Sequence, residues 1–501
     1  MRVIAVLFVL AAGPLGTAAA QSGDTPVPVQ IEQAAIAPEW IGRVESALAA
    51  GNGTIEVMIE YAGSAPLALP GTNGPPRESQ QSTQNNMAQT VRERLQSEGI
   101  QVVREYEYLP LLRARISSAQ FDALRGDPDI SNVFVEEFAA RQEEALQATE
   151  EWSGRSLSVT AQALNADDVW NSGFTGENQT VVILDDGIHR DHSWFAGRII
   201  TEECFSSADG SSEESLCSGG GPTQSGLGAA SNCQTENDVC GHGTHVAGIA
   251  AGNQGMGLNP LRGIAHGADI IPIQVFTRVR DTEACDEEES CVLSSNFDQL
   301  DALNWVIQNA ATHNIAAVNM SLGGDEHSEA CDGSNLLTSA INTLRSMGVA
   351  TVIAAGNDGF EGAVNSPGCV SSAITVSGTI LTTPSTSFNH APLVDLLAPG
   401  IAVISAGAPP TSTAILSGTS MSTPHIAGAI ALLKSIDPSV TVDQLEFALE
   451  STGDLRSLSS WTWQTPQPDL GAAAAALGVN PPFEGVTISG IVPTTSASDA
   501  P

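Results

Sequence analysis

The sequence predicts an α/β domain built on a mostly parallel central sheet, preceded by a small α+β unit of βαββαβ order. Three observations carry this. The apolar runs VVILD (181–185), ADIIPIQVF (268–276), IAAVNMS (315–321) and VATVIAAGN (349–357) show little alternation, as strands covered on both faces do. Stretches of helical periodicity, 297–312 and 336–347 among them, alternate with those runs, the pattern of a parallel sheet between helical layers. Upstream, TIEVMIEY alternates strictly and puts Ile55, Val57 and Ile59 on one strand face.

Taken in chain order, MRVIAVLFVLAAGPLGTAAAQS has one early arginine, an apolar run from Val3 to Ala12 and an A-x-A site at Ala18-Ala19-Ala20. That is a signal peptide, 1–20, and it implies a secreted, extracellular or periplasmic protein. The run is about half the ~20 residues a membrane span needs. Residues 21–53 are Pro- and Ala-rich and read as an extension, with one helix-like stretch at 38–50 stopped by Gly51. The small domain is expected over 54–140. In it Met87, Val91 and Leu95 lie on one helix face before Gly99, and strands follow at 101–108 and 110–116. A helix capped by Ser118 with Phe121 and Leu124 inward, then a strand NVFVEE (132–137), complete the unit. Residues 141–157 belong to a charged stretch without apolar periodicity and read as a linker open to proteolytic cutting. The large domain is expected over 158–477, and 478–501, rich in Pro, Thr, Ser and Gly, as a low-complexity tail.

The 501 residues include 57 acidic and 19 basic ones, a formal net charge of −38, and Lys434 is the one lysine. Such a surface has no basic patch to neutralise phosphates, which excludes nucleic acid and anionic membranes as partners. Eight cysteines in an oxidising compartment are expected to form disulfides, and no CxxC pair suggests zinc. Cys285 with Cys291 and Cys331 with Cys369 are the favoured pairs. Cys204, Cys217, Cys233 and Cys240 allow three connectivities.

Open α/β sheets place chemistry beyond the carboxyl ends of their strands. There Asp185 ends VVILD and Asn357 ends VATVIAAGN, while His242 and Ser420 open the glycine-flanked apolar stretches GHGTHVAGIAAG and SGTSMSTPHIAGAIALLK. A serine becomes a nucleophile when a base takes its proton and a carboxylate orients that base. His242 and His245, three apart, could converge on a metal only with further ligands, and those zinc requires are missing.

With these motifs in view, the chain resembles the subtilisin-like serine proteases with their inhibitory propeptide attached. ILDDGI, GHGTHVAG and GTSMSTPHIAG stand in that family's order, with AAGN between the last two. The likeness covers about 164–477 together with the domain at 54–140. It implies the family's three-layer fold and a serine endopeptidase. Carried over, Ser420 is the nucleophile, His242 the general base and acid, Asp185 the orienting carboxylate, and Asn357 an oxyanion donor beside the Ser420 amide. Ser321, Leu322 and Gly323 would pair with substrate backbone, and Ala354, Ala355 and Gly356 would wall the first specificity pocket.

The resemblance also implies that the propeptide is an intramolecular inhibitor, self-cleaved within 138–157. The enzyme is expected to act as a monomer on proteins and peptides, with no cofactor needed for the chemistry. Trp194 stands where many members carry a calcium-ligating aspartate, so that site is not expected. Asp281, Glu283, Asp286, Glu287, Glu288 and Glu289 offer oxygens for a different calcium, although a solvated acidic loop is the preferred reading. Asn365, Asp358 and Glu361, near the pocket base by resemblance, would favour polar or basic side chains. A peptide-binding relative without catalysis would lack one of Asp185, His242, Asn357 or Ser420, and an esterase would carry GxSxG around its serine. Neither pattern is present.

Overall fold

The computed structural model describes residues 39–51, 53–62, 77–142, 154–208, 212–233, 240–255, 260–281, 284–285 and 288–478. The expected signal peptide, all but one residue of the expected tail, and 143–153 of the expected linker lie outside these. Among the described residues no helix is long and apolar enough to cross a membrane.

The small unit comprises α1 (Glu39–Ala50), β1 (Thr54–Tyr61), α2 (Arg77–Ser97), β2 (Gln101–Glu105), β3 (Leu111–Ser117), α3 (Ser118–Leu124) and β4 (Ile130–Phe134). Its antiparallel sheet runs β2-β3-β1-β4. Alternation along β1 sends Val57 and Ile59 into a core with Val91, Leu95, Phe121 and Leu124. Met58, on the opposite face, joins Tyr106, Leu111 and Phe134 in a second cluster shared with the large sheet.

Two expectations need correction here. The helix in the expected extension is α1, and Trp40, Val44 and Leu48, spaced by four, all enter the small unit's core. Trp40 meets the Phe121 ring edge-on at 5.9 Å. The packed unit therefore begins at Trp40, upstream of 54. The cap of α3 is Ser117, not Ser118, because the Gln120 side chain reaches back to accept from the Ser117 amide at 2.9 Å.

Among the described residues the large sheet has nine strands, running from Thr223–Ser225 through Glu203–Phe205, Asp269–Gln274, Thr180–Asp185, Ile315–Met320 and Ala350–Ala354 to Ile374–Ile380. Leu396–Pro399 and Thr383–Pro384 both join that last strand, and all pairings are parallel except at the two margins. Val181 and Ile183 face the helices His242–Ala251 and Thr419–Lys434, whereas Val182 and Leu184 face Asn296–Asn309 and Thr338–Ser346. Cover on both sides is why these runs do not alternate. The expected linker ends early, since Arg155–Ser156 already pairs in parallel with Val403–Ala406.

Four disulfides join Cys204 to Cys217, Cys233 to Cys240, Cys285 to Cys291 and Cys331 to Cys369. The first two choose one of the three connectivities left open.

Asp395 precedes the Leu396–Pro399 strand and accepts from the Thr375 amide at 2.7 Å. Burial, and then the charges of Glu446 and Glu450, push its carboxyl up to about 8 from 3.8. A carboxyl raised on folding contributes its stability below the unfolded value and loses it as pH rises through about 8. Asp395→Asn keeps an acceptor without the charge. It should melt about 2–4 °C above the parent in alkaline buffer, with the difference vanishing toward pH 4, as read by thermal denaturation at several pH values.

Candidate active site

Asp185 closes the Thr180–Asp185 strand with its side chain almost wholly buried, and His242 opens the His242–Ala251 helix. Oδ1 of Asp185 lies 2.8 Å from Nδ1 of His242. A carboxylate at that distance holds Nδ1 protonated and aims Nε2 away from itself. The glycine after His242 is required by this closeness, because a Cβ on Gly243 would stand 2.3 Å from the Gly187 carbonyl oxygen.

Asp186 caps the N-terminus of the same helix. Its Oδ1 accepts from the Gly243 amide at 2.9 Å, and its Oδ2 from those of Gly241 and His242, both at 3.3 Å. Burial, followed by the charge of Asp185, raises its carboxyl to about 6, against the lowering pull of Arg141 and His242. His245 lies one turn into the helix, with Nε2 on the carbonyls of Val403 (3.0 Å) and Ala414 (3.2 Å). Burial pushes it down to about 3, so it is a neutral packing group.

Ser420 is the second residue of the Thr419–Lys434 helix, after Gly418 at φ 148°. Its hydroxyl donates to the Ser321 carbonyl at 3.2 Å, and the Ser321 hydroxyl donates to the Ser420 carbonyl at 2.9 Å. Asn357 is fixed by its oxygen, which accepts from the amide (2.9 Å) and hydroxyl (3.0 Å) of Thr419. Its buried Nδ2 makes no hydrogen bond among the described residues, leaving a donor beside the helix N-terminus.

The cleft is filled by the chain's own segment β5 (Phe138–Arg141). It runs antiparallel to Leu322–Gly323 on one side, with Arg141 opposite Leu322 and Ala140 opposite Gly323. On the other side it pairs with Cys291–Ser295. That second wall was missed, because Cys291–Ser295 reads in the sequence as the end of an acidic loop. The next residue, Gln142, donates its amide to Ser321 O at 3.4 Å, and its carbonyl oxygen accepts from the Ser420 amide at 3.1 Å. The Gln142 side chain is buried and donates to Gly323 O at 3.1 Å.

Around that side chain, Asn365 bonds Gly324 O at 2.7 Å and its amide donates to Ala355 O at 2.8 Å. Gly356, at φ 111°, admits no Cβ, which would stand 2.1 Å from Asn365 Oδ1. Ala354 is buried at the end of its strand just before these two. Asp358 engages Asn389 rather than Gln142, and Glu361 accepts from Ser460 Oγ at 3.0 Å.

Trp194 is buried in the main core, where its indole packs against apolar side chains. Of the acidic loop, Glu283, Asp286 and Glu287 lie outside the described residues.

Residues 176–465, more than half of the chain, match the family profile described as the subtilase family. The chain is 31% identical over 328 residues to the extracellular serine proteinase of Thermus sp. (strain Rt41A), covering 65% of this chain and 66% of that one. It is 30% identical over 367 residues to the thermostable alkaline protease of Halalkalibacterium halodurans, covering 73% and 82%. Among solved structures it is similar to a cold-adapted subtilisin-like serine proteinase, at 27% identity and a TM-score of 0.43, over 59% of this chain and 89% of that one.

Proposed function

The chain belongs to the subtilase family of serine-type endopeptidases, and from that premise we propose that it is a secreted protease that holds itself inactive and cuts itself after Gln142. The contact that carries the reading is the 3.1 Å hydrogen bond from the Ser420 amide to the Gln142 carbonyl oxygen.

In the proposed mechanism the Ser420 hydroxyl turns from Ser321 O toward Nε2 of His242, which takes its proton as Oγ bonds the substrate carbonyl carbon. Asp185 stabilises the resulting imidazolium. The carbonyl oxygen becomes an oxyanion held by the Ser420 amide and Asn357 Nδ2, at the positive end of the Thr419–Lys434 helix. His242 then protonates the leaving amine, and the C–N bond breaks to give an acyl-enzyme. Water, deprotonated by His242, attacks the ester and frees Ser420. This chemistry needs no cofactor.

Substrates would enter as β5 does, as a strand between Leu322–Gly323 and Cys291–Ser295. Main-chain pairing accepts many sequences, so the substrates are proteins and peptides broadly. Inhibition by the propeptide has a second support away from the cleft. Asp301 of the large unit receives Tyr106 Oη at 2.6 Å and pairs with Arg104 at 2.5 Å, which anchors the small unit while β5 fills the cleft.

Treating the mature enzyme with a fluorophosphonate should stop casein hydrolysis and leave one adduct, on the peptide containing Ser420. An adduct elsewhere, or casein hydrolysis that survives full labelling, contradicts the assignment. Turnover of short esters but not casein would make it an esterase.

A further inference from the structure

We propose that Asp298 is a proton-dependent latch on the small unit: with its carboxyl protonated the small unit stays seated, and with it ionised the first turn of the Asn296–Asn309 helix repels Glu136, so that self-inhibition relaxes as an acidic medium turns alkaline. The proposal rests on the reading that the small unit is an inhibitory propeptide.

The segment between β4 and β5 grips the start of that helix. Asn296 donates its amide to Glu137 O at 2.9 Å and its Nδ2 to Val135 O at 3.2 Å, while its Oδ1 accepts from the Glu137 amide at 3.1 Å. Between these two residues, Glu136 accepts from the hydroxyl of Ser295, which caps the helix by accepting from the Phe297 amide at 3.1 Å. Glu136 is therefore set at a helix end that already carries an acid of its own. Asp298 lies in the same turn, 4% exposed, and accepts from the Ser207 amide at 2.7 Å. No cationic side chain pairs with it among the described residues.

Asp301, one turn along, is different. Arg104 at 2.5 Å, Arg113 at 3.9 Å and Tyr106 Oη at 2.6 Å face it from the small unit, and Arg113 is shared with Glu56. Those partners match the charge of Asp301 and make it an anchor. The charge of Asp298 meets only Glu136 and Asp301.

One carboxylate at a helix N-terminus is favoured, but a second brought into the same buried turn is not. Burial pushes the Asp298 carboxyl up to about 7 from its ordinary 3.8, and the charges of Glu136 and Asp301 add to this against the hydrogen bonding of Ser207. Departure of the small unit takes Glu136 away and returns the carboxyl toward its ordinary range. Seating the small unit thus takes up a proton. A carboxyl raised in the bound state strengthens the grip fully below its value in the free enzyme, and that gain is lost as pH rises through about 7. One such proton changes affinity by up to about tenfold per pH unit.

The test follows the full chain after self-cleavage, purified with its small unit near pH 5.5 and transferred to buffers from about pH 5.5 to about 8.5. Samples withdrawn over time are assayed for casein hydrolysis at one common pH, so the delay before activity appears reports release. In the parent that delay should shorten by about tenfold across the range. Asp298→Asn keeps an acceptor for the Ser207 amide and Glu136→Gln keeps one for the Ser295 hydroxyl, and each should retain the long delay at both ends. The variants share the parent's triad, so the enzyme's own pH profile cancels in the comparison. A parent delay that does not change with pH overturns the proposal, and so does a variant delay that shortens with pH as the parent's does. If Asp298→Asn does not fold, Glu136→Gln decides by the same criterion. A chain active without delay at every pH overturns the inhibitory reading and the latch with it. No casein hydrolysis at any pH, together with failure to label Ser420, overturns the protease reading, whereas a pH-independent delay overturns the latch alone.

Discussion

Ser420→Ala is expected to abolish hydrolysis of casein and peptides while the chain still folds and stays joined to its propeptide. In subtilisin, a member of this family, loss of the serine or histidine costs about 2 × 10⁶-fold in turnover. A loss of that order is expected here, because the proposed reaction has no second nucleophile. The fold should tolerate the change. The hydroxyl gives up one hydrogen bond, to Ser321 O, worth about 1 kcal/mol net. Circular dichroism and a casein assay on the same preparation check both halves. A folded variant within tenfold of parental activity contradicts the role given to Ser420.

The second largest effect is expected at Asn357. Its Nδ2 is a buried donor with no partner among the described residues, placed to meet charge that exists only once the carbonyl has been attacked. Asn357→Ala should lower kcat by about 10²–10³-fold, the figure measured for the oxyanion asparagine of subtilisin, with KM nearly unchanged. The Asn357 oxygen also fixes Thr419, so the alanine variant alone confounds two roles. Asn357→Asp keeps that acceptor and removes the donor. It should lose as much as alanine does, and near-normal kcat in the aspartate variant would reduce Asn357 to an anchor for Thr419.

The candidate site residues were legible as positions because each sits at a strand end or helix start that its neighbours announce. Asp185 ends an unbroken apolar run, His242 directly follows a glycine, and Ser420 stands two residues after one, each at the head of an apolar helix. What the sequence hid was pairing between distant segments. Cys291–Ser295 is five residues long, and nothing in its local pattern shows that it pairs with β5 on one edge and with Thr277–Val279 on the other. α1 was legible as a helix but not as part of the small core, since its partners Phe121 and Leu124 come some seventy residues or more later. Asp186 follows Asp185 in ILDDGI, but its ion pair with Arg141 is visible only once the antiparallel register brings the two segments together. The cut proposed after Gln142 was hidden for the same reason, as nothing in local periodicity around FAARQ sets Gln142 apart.

The most direct measurement is the N-terminal sequence of the mature enzyme, with intact mass, beside the same measurement on Ser420→Ala. A mature chain beginning at Glu143, and a variant that stays uncut at that bond, is the result this account predicts. A mature chain beginning elsewhere, or a Ser420→Ala chain cut at the same bond when purified alone, would contradict it.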